Sequence, residues 1–171
     1  MKIPSAAECI EIYGLLPHPE GGHYAETYRS DGYLDGDSLP AGMIGKRSYA
    51  TAIYFLLQSG EVSRFHRIRS DELWFFHGGA PLEISIIDER GHLSQIVLGF
   101  EHEIGQSLQH VVPAGAWFGA KLLPSFESHA LVSCVVAPGF DFRDFELAKA
   151  RDLETYPMMR RVPELCPLLD A

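Results

Sequence analysis

Two side chains of complementary chemistry stand near the middle of this 171-residue chain: the imidazole of His66 and the carboxylate of Glu72. Imidazole titrates near neutrality without help, so His66 can take or return a proton at working pH. A carboxylate on an inward-facing position is costly unless it is paired or hydrogen-bonded. Glu72 is therefore expected to orient His66, to act as an acid or to bind a metal, with a salt bridge to Arg64 or Arg67 as the plainer alternative. Alternation along extended chain puts His66 on a face with Arg64 and Ile68, and Glu72 on a face with Trp74 and Phe76, with His77 turned away. If the two strands form a hairpin, His66 and Glu72 converge. An imidazole nitrogen and a carboxylate oxygen from adjacent strands begin a metal shell, but two protein ligands alone hold a divalent ion weakly.

A second group, His18, Glu20, His23, Tyr24 and Glu26, surrounds Gly21-Gly22. Polar and aromatic side chains on such a loop can rim a pocket. Tyr54, Tyr28 and Arg29 are further pocket candidates. Trp74, Phe76, Trp117 and Phe118 offer either a stacking wall or ordinary core. Of Gln109 and His110 one must face inward, and Gln109 is the expected one. Asp141, Arg143 and Asp144 read as turn and cap residues. No nucleotide-binding loop, GxSxG or HExxH is present.

These residues must be positioned by strands. Residues 5–14 read as a short helix begun by Ser5 and ended by Gly14. Residues 15–23 carry too much Pro and Gly for regular structure, and 24–29 read as a strand. Residues 30–47 form a long loop. Further strands are expected at 48–57, 62–68, 71–77, 82–88, 92–98, 107–112, 116–123 and 129–137, punctuated by Gly and Pro turns, among them one at Pro124-Ser125. Many short strands at this spacing point to an antiparallel sandwich or barrel. Asp144 to Glu154 reads as a second short helix capped by Asp144, and Pro157, Pro163 and Pro167 keep the tail extended.

Length and composition indicate one domain over residues 1–171. Lys and Arg number 14 against 23 Asp and Glu, a net charge of −9 with no basic stripe, which disfavours nucleic acid and anionic lipid as partners. No apolar run reaches membrane-spanning length and the N-terminus lacks the apolar region of a signal peptide, so a cytoplasmic protein is expected. Cys9, Cys134 and Cys166 form no CxxC pair, and Cys134 reads as a buried apolar filler.

The spacing from Gly60 through His66, Ile68 and Glu72 to Gly79 resembles the first motif of the cupin barrels, with Ile68 in place of the second metal-binding His. Pro113-Ala114-Gly115-Ala116-Trp117-Phe118 resembles the second motif, with Phe118 in place of its His. Leu16 to Ser30, Thr51 to Leu57, His66 to Trp74, Gln109 to Ala120 and Val136 to Phe142 together resemble the cupin_5 (DUF985) family, over about residues 14–157. The resemblance implies an all-β fold, a double-stranded β-helix or cupin jelly-roll barrel with core at about 24–142, flanked by the N-terminal and C-terminal helices. It also implies a homodimer.

The expected function is small-molecule binding in that barrel. One form is a metal-independent epimerase or isomerase acting on a sugar-nucleotide-like or other small polar substrate. His66 is then the base, Tyr24 returns a proton, and Glu72 tunes the base. His18, Glu20, Glu26, Tyr54, Arg64, Trp74, Gln109 and Trp117 are the candidate ligand-binding residues. No cofactor is expected. The alternatives are a non-catalytic binding or sensing protein, and an enzyme with a weakly held divalent transition metal at His66 and Glu72.

Overall fold

The computed structural model describes residues 4–123, 128–149 and 168. Helix α1 (Ala6–Tyr13) opens the fold. The Ser5 hydroxyl accepts from the Glu8 amide while the Glu8 carboxylate accepts from the Ser5 amide at 2.8 Å, and Gly14 ends the helix in the left-handed region. The helix sets Cys9 against Leu15, Leu56 and Leu131.

The described strands are β1 (Leu16–Pro17), β2 (His23–Arg29), β3 (Tyr33–Leu34), β4 (Arg47–Ser48), β5 (Thr51–Gln58), β6 (Val62–Arg67), β7 (Asp71–Gly79), β8 (Leu82–Ile87), β9 (Leu93–Leu98), β10 (Gln109–Val112), β11 (Trp117–Leu122), β12 (His129–Ala137) and β13 (Glu146–Leu147). One sheet has the order β1-β2-β5-β12-β7-β10, the other β13-β6-β11-β8-β9, and β3 and β4 pair by themselves. Phe55, Trp74 and Phe76 of the first sheet share one core with Ile84, Ile86, Phe118 and Ala120 of the second. The sheets therefore pack face to face. Their ladders stay separate, so the expected barrel is a mostly β two-sheet sandwich rather than one closed ladder.

Most strand boundaries fall within two residues of expectation, but four features differ. Residues 48–57 are divided at Tyr49-Ala50 into β4 and β5. The 30–47 segment carries the small β3–β4 hairpin, anchored by the Arg47 guanidinium on the Asp144 carboxylate at 2.6 and 2.8 Å. Leu16-Pro17, expected to be irregular, pairs with β2. The expected helix from Asp144 does not form over its described part. Asp141, not Asp144, caps a 3-10 turn at Phe142–Asp144, and the Asp144 carboxylate is already occupied by Arg47. Glu146–Leu147 then extends as β13 along β6. The rest of that expected helix, the extended tail and the Pro124-Ser125 turn lie outside the described residues.

Three interruptions of register decide which side chains face inward. On β6, His66 lies opposite Phe118 and Ser63 opposite Ala120, leaving Arg64 and Phe65 against the single residue Gly119. A Cβ at Gly119 would stand 2.8 Å from the Ser63 carbonyl, so glycine makes room for this bulge. Ser63 and His66 consequently share the inner face despite their odd and even numbers. On β2 the register slips at Thr27, so Tyr24 and Glu26 face inward before it and Arg29 after it, while Tyr28 is exposed. On β7 it slips at His77.

Candidate functional site

A cavity of about 370 Å³ lies on the inner face of the six-stranded sheet. That sheet contributes Tyr24, Glu26 and Arg29 from β2, Thr51, Ile53 and Phe55 from β5, Glu72 and Trp74 from β7, and Cys134 and Val136 from β12. The facing sheet contributes His66, followed by Ile68. The turn before β2 supplies His18 and Glu20, and the segment after β12 supplies Phe140, Asp141, Phe142 and Phe145.

Glu20 and His66 form the centre of the polar arrangement. His66 Nδ1 lies 2.7 Å from the Arg64 carbonyl, which can only accept, so Nδ1 carries a hydrogen and Nε2 faces Glu20 Oε2 at 3.1 Å. The other Glu20 oxygen accepts from the Ser63 hydroxyl at 2.7 Å. His18 Nδ1 accepts from the Glu20 amide and lies 3.4 Å from the same Oε2. A proton between His66 Nε2 and Glu20 Oε2 fits this geometry on either atom. Burial favours the carboxyl, raising the Glu20 pKa and lowering those of His66 and His18. The pair is therefore neutral, with the Glu20 carboxyl donating to His66.

Glu72 is 7% exposed. Burial pushes its carboxyl up to about 7, and the Cys134 thiol that donates to it opposes the rise. A carboxyl that titrates near neutrality can alternate between base and acid at working pH. The expected salt bridge to Arg64 or Arg67 is not made. Arg67 pairs with Glu146, and Arg64 donates to the carbonyls of Pro19 and Glu20.

Of the expected site residues, the cavity brings together His66, Glu72, Tyr24, His18, Glu20, Glu26 and Trp74. The other four lie elsewhere. Tyr54 alternates with the inward Ile53 and Phe55, so it faces outward and packs against Tyr13 at 4.9 Å between ring centres. Arg64 is turned out of the cavity by the β6 bulge and pins the Glu20 turn from behind. Gln109 is exposed, because β10 sets His110 and Val112, not Gln109, opposite the inward Trp74 and Glu72. Trp117 belongs to a separate apolar cluster with Phe65 and Ile87, under the Arg67 guanidinium.

Cys134 and the Phe140, Phe142 and Phe145 wall were not expected to line the site. Alternation along 129–137 could have placed Cys134 inward with Val132 and Val136. The three phenylalanines carry no periodic signal, since they leave the sheet and fold back over it.

Ile68 gives the cavity a hydrocarbon surface, and the Phe118 ring lies 4.1 Å from that of His66. The Nε2 lone pair of His66 is committed to Glu20. Among the described residues no three His, Cys, Asp or Glu side chains are placed to hold a metal ion.

A two-sheet β-sandwich enclosing an acid–base cavity is the class that this geometry defines. The chain belongs to the cupin superfamily, in its Cupin_5 (DUF985) family, whose pattern matches residues 7–148. It is similar to the uncharacterized protein YML079W of Saccharomyces cerevisiae, 30% identical over 86% of this chain and 77% of that one. Protein SO0799 of Shewanella oneidensis has a similar solved structure, with a TM-score of 0.85 and 37% identity over 98% of this chain and 99% of that one. A hypothetical protein from Leishmania major gives 0.83 and 35%, over 94% and 97%. Bacillus subtilis oxalate decarboxylase shares the fold at a distance, with a TM-score of 0.54 and 15% identity over 86% of this chain and 33% of that one. No helix among the described residues is long and apolar enough to cross a membrane.

Proposed function

We propose that this chain is a small-molecule cupin, its sandwich a jelly roll, whose cavity moves protons on a small polar substrate as an epimerase or isomerase does. The observation that carries this reading is Glu72, a buried carboxyl titrating at about 7 on the cavity wall beside the neutral Glu20–His66 pair. In its ionised form Glu72 takes a proton from carbon next to a substrate carbonyl. The Tyr24 phenol returns a proton to the substrate carbon from another direction, and loss of the proton from Glu72 with reprotonation of Tyr24 by solvent completes the exchange. His66, engaged at both ring nitrogens, holds Glu20 in place. The base is thus assigned to Glu72 rather than to His66.

The test is deuterium wash-in. Hydroxyketones, aldoses and ketoses are incubated with the protein in deuterated water, and NMR follows deuterium at the carbon next to the carbonyl. Glu72→Gln should slow wash-in by about 10²–10⁴-fold while the protein remains folded. Compounds that bind in the cavity yet never acquire deuterium would overturn the reading. They would favour ligand binding without turnover, the alternative that the full engagement of His66 supports.

A further inference from the structure

We propose that the substrate of this cavity is an uncharged carbonyl compound without phosphate, and that its carbonyl oxygen accepts a hydrogen bond from the indole N–H of Trp74. The reaction assumed is the proton transfer proposed above; the grounds for the substrate class are separate.

The first ground is an unmet donor. Trp74 lines the cavity and is 1% exposed, and its Nε1 has no hydrogen-bond partner among the described residues. A buried N–H without an acceptor is costly and uncommon, so a binding site is where its acceptor is to be sought. Trp74 and Glu72 are alternate residues of β7 on one face, roughly 7 Å apart along the strand. An oxygen held by Trp74 therefore brings the neighbouring carbon within reach of Glu72. An ammonium group offers only further donors and does not satisfy the Trp74 N–H.

The second ground is charge. Among the described residues the one guanidinium lining the cavity, that of Arg29, is spent on both Glu26 oxygens at 2.9 and 2.7 Å and on the Phe140 carbonyl at 3.2 Å. Asp141 is held by Arg143 at 2.9 and 2.7 Å. Burial favours the neutral forms of His18 and His66. A phosphate would thus meet Glu72 and two carboxylates already paired with arginine, with no unengaged cation among the described lining residues, whereas phosphate sites rely on charge-assisted donors. The phenylalanine wall suits an apolar substrate body instead.

The experiment measures binding by ligand-observed NMR with four probe sets: small cyclic ketones and sugar lactones, their phosphate esters, UDP-glucose, and trialkylammonium ions of the same size. The uncharged carbonyl compounds should bind, and the other sets at least roughly tenfold more weakly. Trp74→Phe should weaken cyclohexanone by roughly tenfold and leave its hydrocarbon analogue methylenecyclohexane unchanged. If that variant fails to fold, biosynthetic replacement of tryptophan by its benzothienyl analogue removes the N–H and preserves the shape. Tighter binding of a phosphate, nucleotide or ammonium probe, equal ketone binding after loss of the N–H, or no binding by any uncharged carbonyl compound overturns the proposal. Deuterium wash-in on a phosphorylated compound would do so while leaving the proton-transfer reading intact. Selective ketone binding through Trp74 without wash-in would sustain the proposal and overturn that reading.

Discussion

His66 Nε2 lies 3.1 Å from Glu20 Oε2, joining a strand of one sheet to the turn that enters the other. With Nδ1 donating to the Arg64 carbonyl, one proton lies between the pair, and burial favours it on the carboxyl. A neutral pair tolerates an amide in place of the acid. Glu20→Gln, which can donate to His66 and accept from Ser63, should change stability by less than about 1 kcal/mol, whereas Glu20→Ala should cost about 2–4 kcal/mol. Urea denaturation of both variants checks this. A loss in Glu20→Gln as large as in Glu20→Ala would mean that the pair is ionic.

Glu72 makes stability depend on pH. Its folded pKa of about 7 lies above its ordinary value of 4.5. Between the two the folded state binds more protons than the unfolded state, so this contribution is fully present below 4.5 and is lost as pH rises through 7. A shift of that size corresponds to about 3 kcal/mol. Glu72→Gln keeps the shape and removes the titration. Melting curves from about pH 5 to about pH 8 should therefore show the wild type losing stability relative to the variant. Parallel curves would refute the raised pKa.

The Cys134 thiol donates to Glu72 and favours its carboxylate. Cys134→Ala should therefore raise the Glu72 midpoint further, and Cys134→Ser, which keeps a donor, should raise it less. Carbon-13 NMR of the glutamate carboxyls reads the midpoint directly. An unchanged midpoint in Cys134→Ala would show that the thiol does not act on Glu72.

Gly21 carries the turn that delivers Glu20. Its φ is +114°, and a Cβ there would lie 2.1 Å from the Val62 carbonyl. Gly21→Ala should cost about 2–4 kcal/mol through strain and displacement of β6, and should disturb the Glu20–His66 contact. The two readouts are denaturant midpoint and the imidazole proton resonance of His66. A variant as stable as wild type would refute the close approach.

Much of the scaffold was legible locally. Strands β5 to β12 announce themselves by alternation and by Gly and Pro turns, and Ser5 and Gly14 mark the ends of the first helix. Glu72 and Trp74 could be placed on one face because nothing interrupts β7 between them. Arg64 was misassigned because the bulge opposite Gly119 changes the phase of β6, and that bulge exists only where β11 lies alongside. Gln109 was misassigned because four residues of strand do not by themselves say which face meets the core.

The chain alone thus determined the strands and the candidacy of His66, Glu72 and the 18–26 cluster, because alternation and turn chemistry act between near neighbours, while motif spacing carried the resemblance to the cupin family. Only the tertiary structure decided that Glu20 meets His66, that Cys134 donates to Glu72, and that Phe140, Phe142 and Phe145 close the wall. Those contacts depend on which strand lies opposite and where its register slips, and burial in the space so formed is what moves the protons.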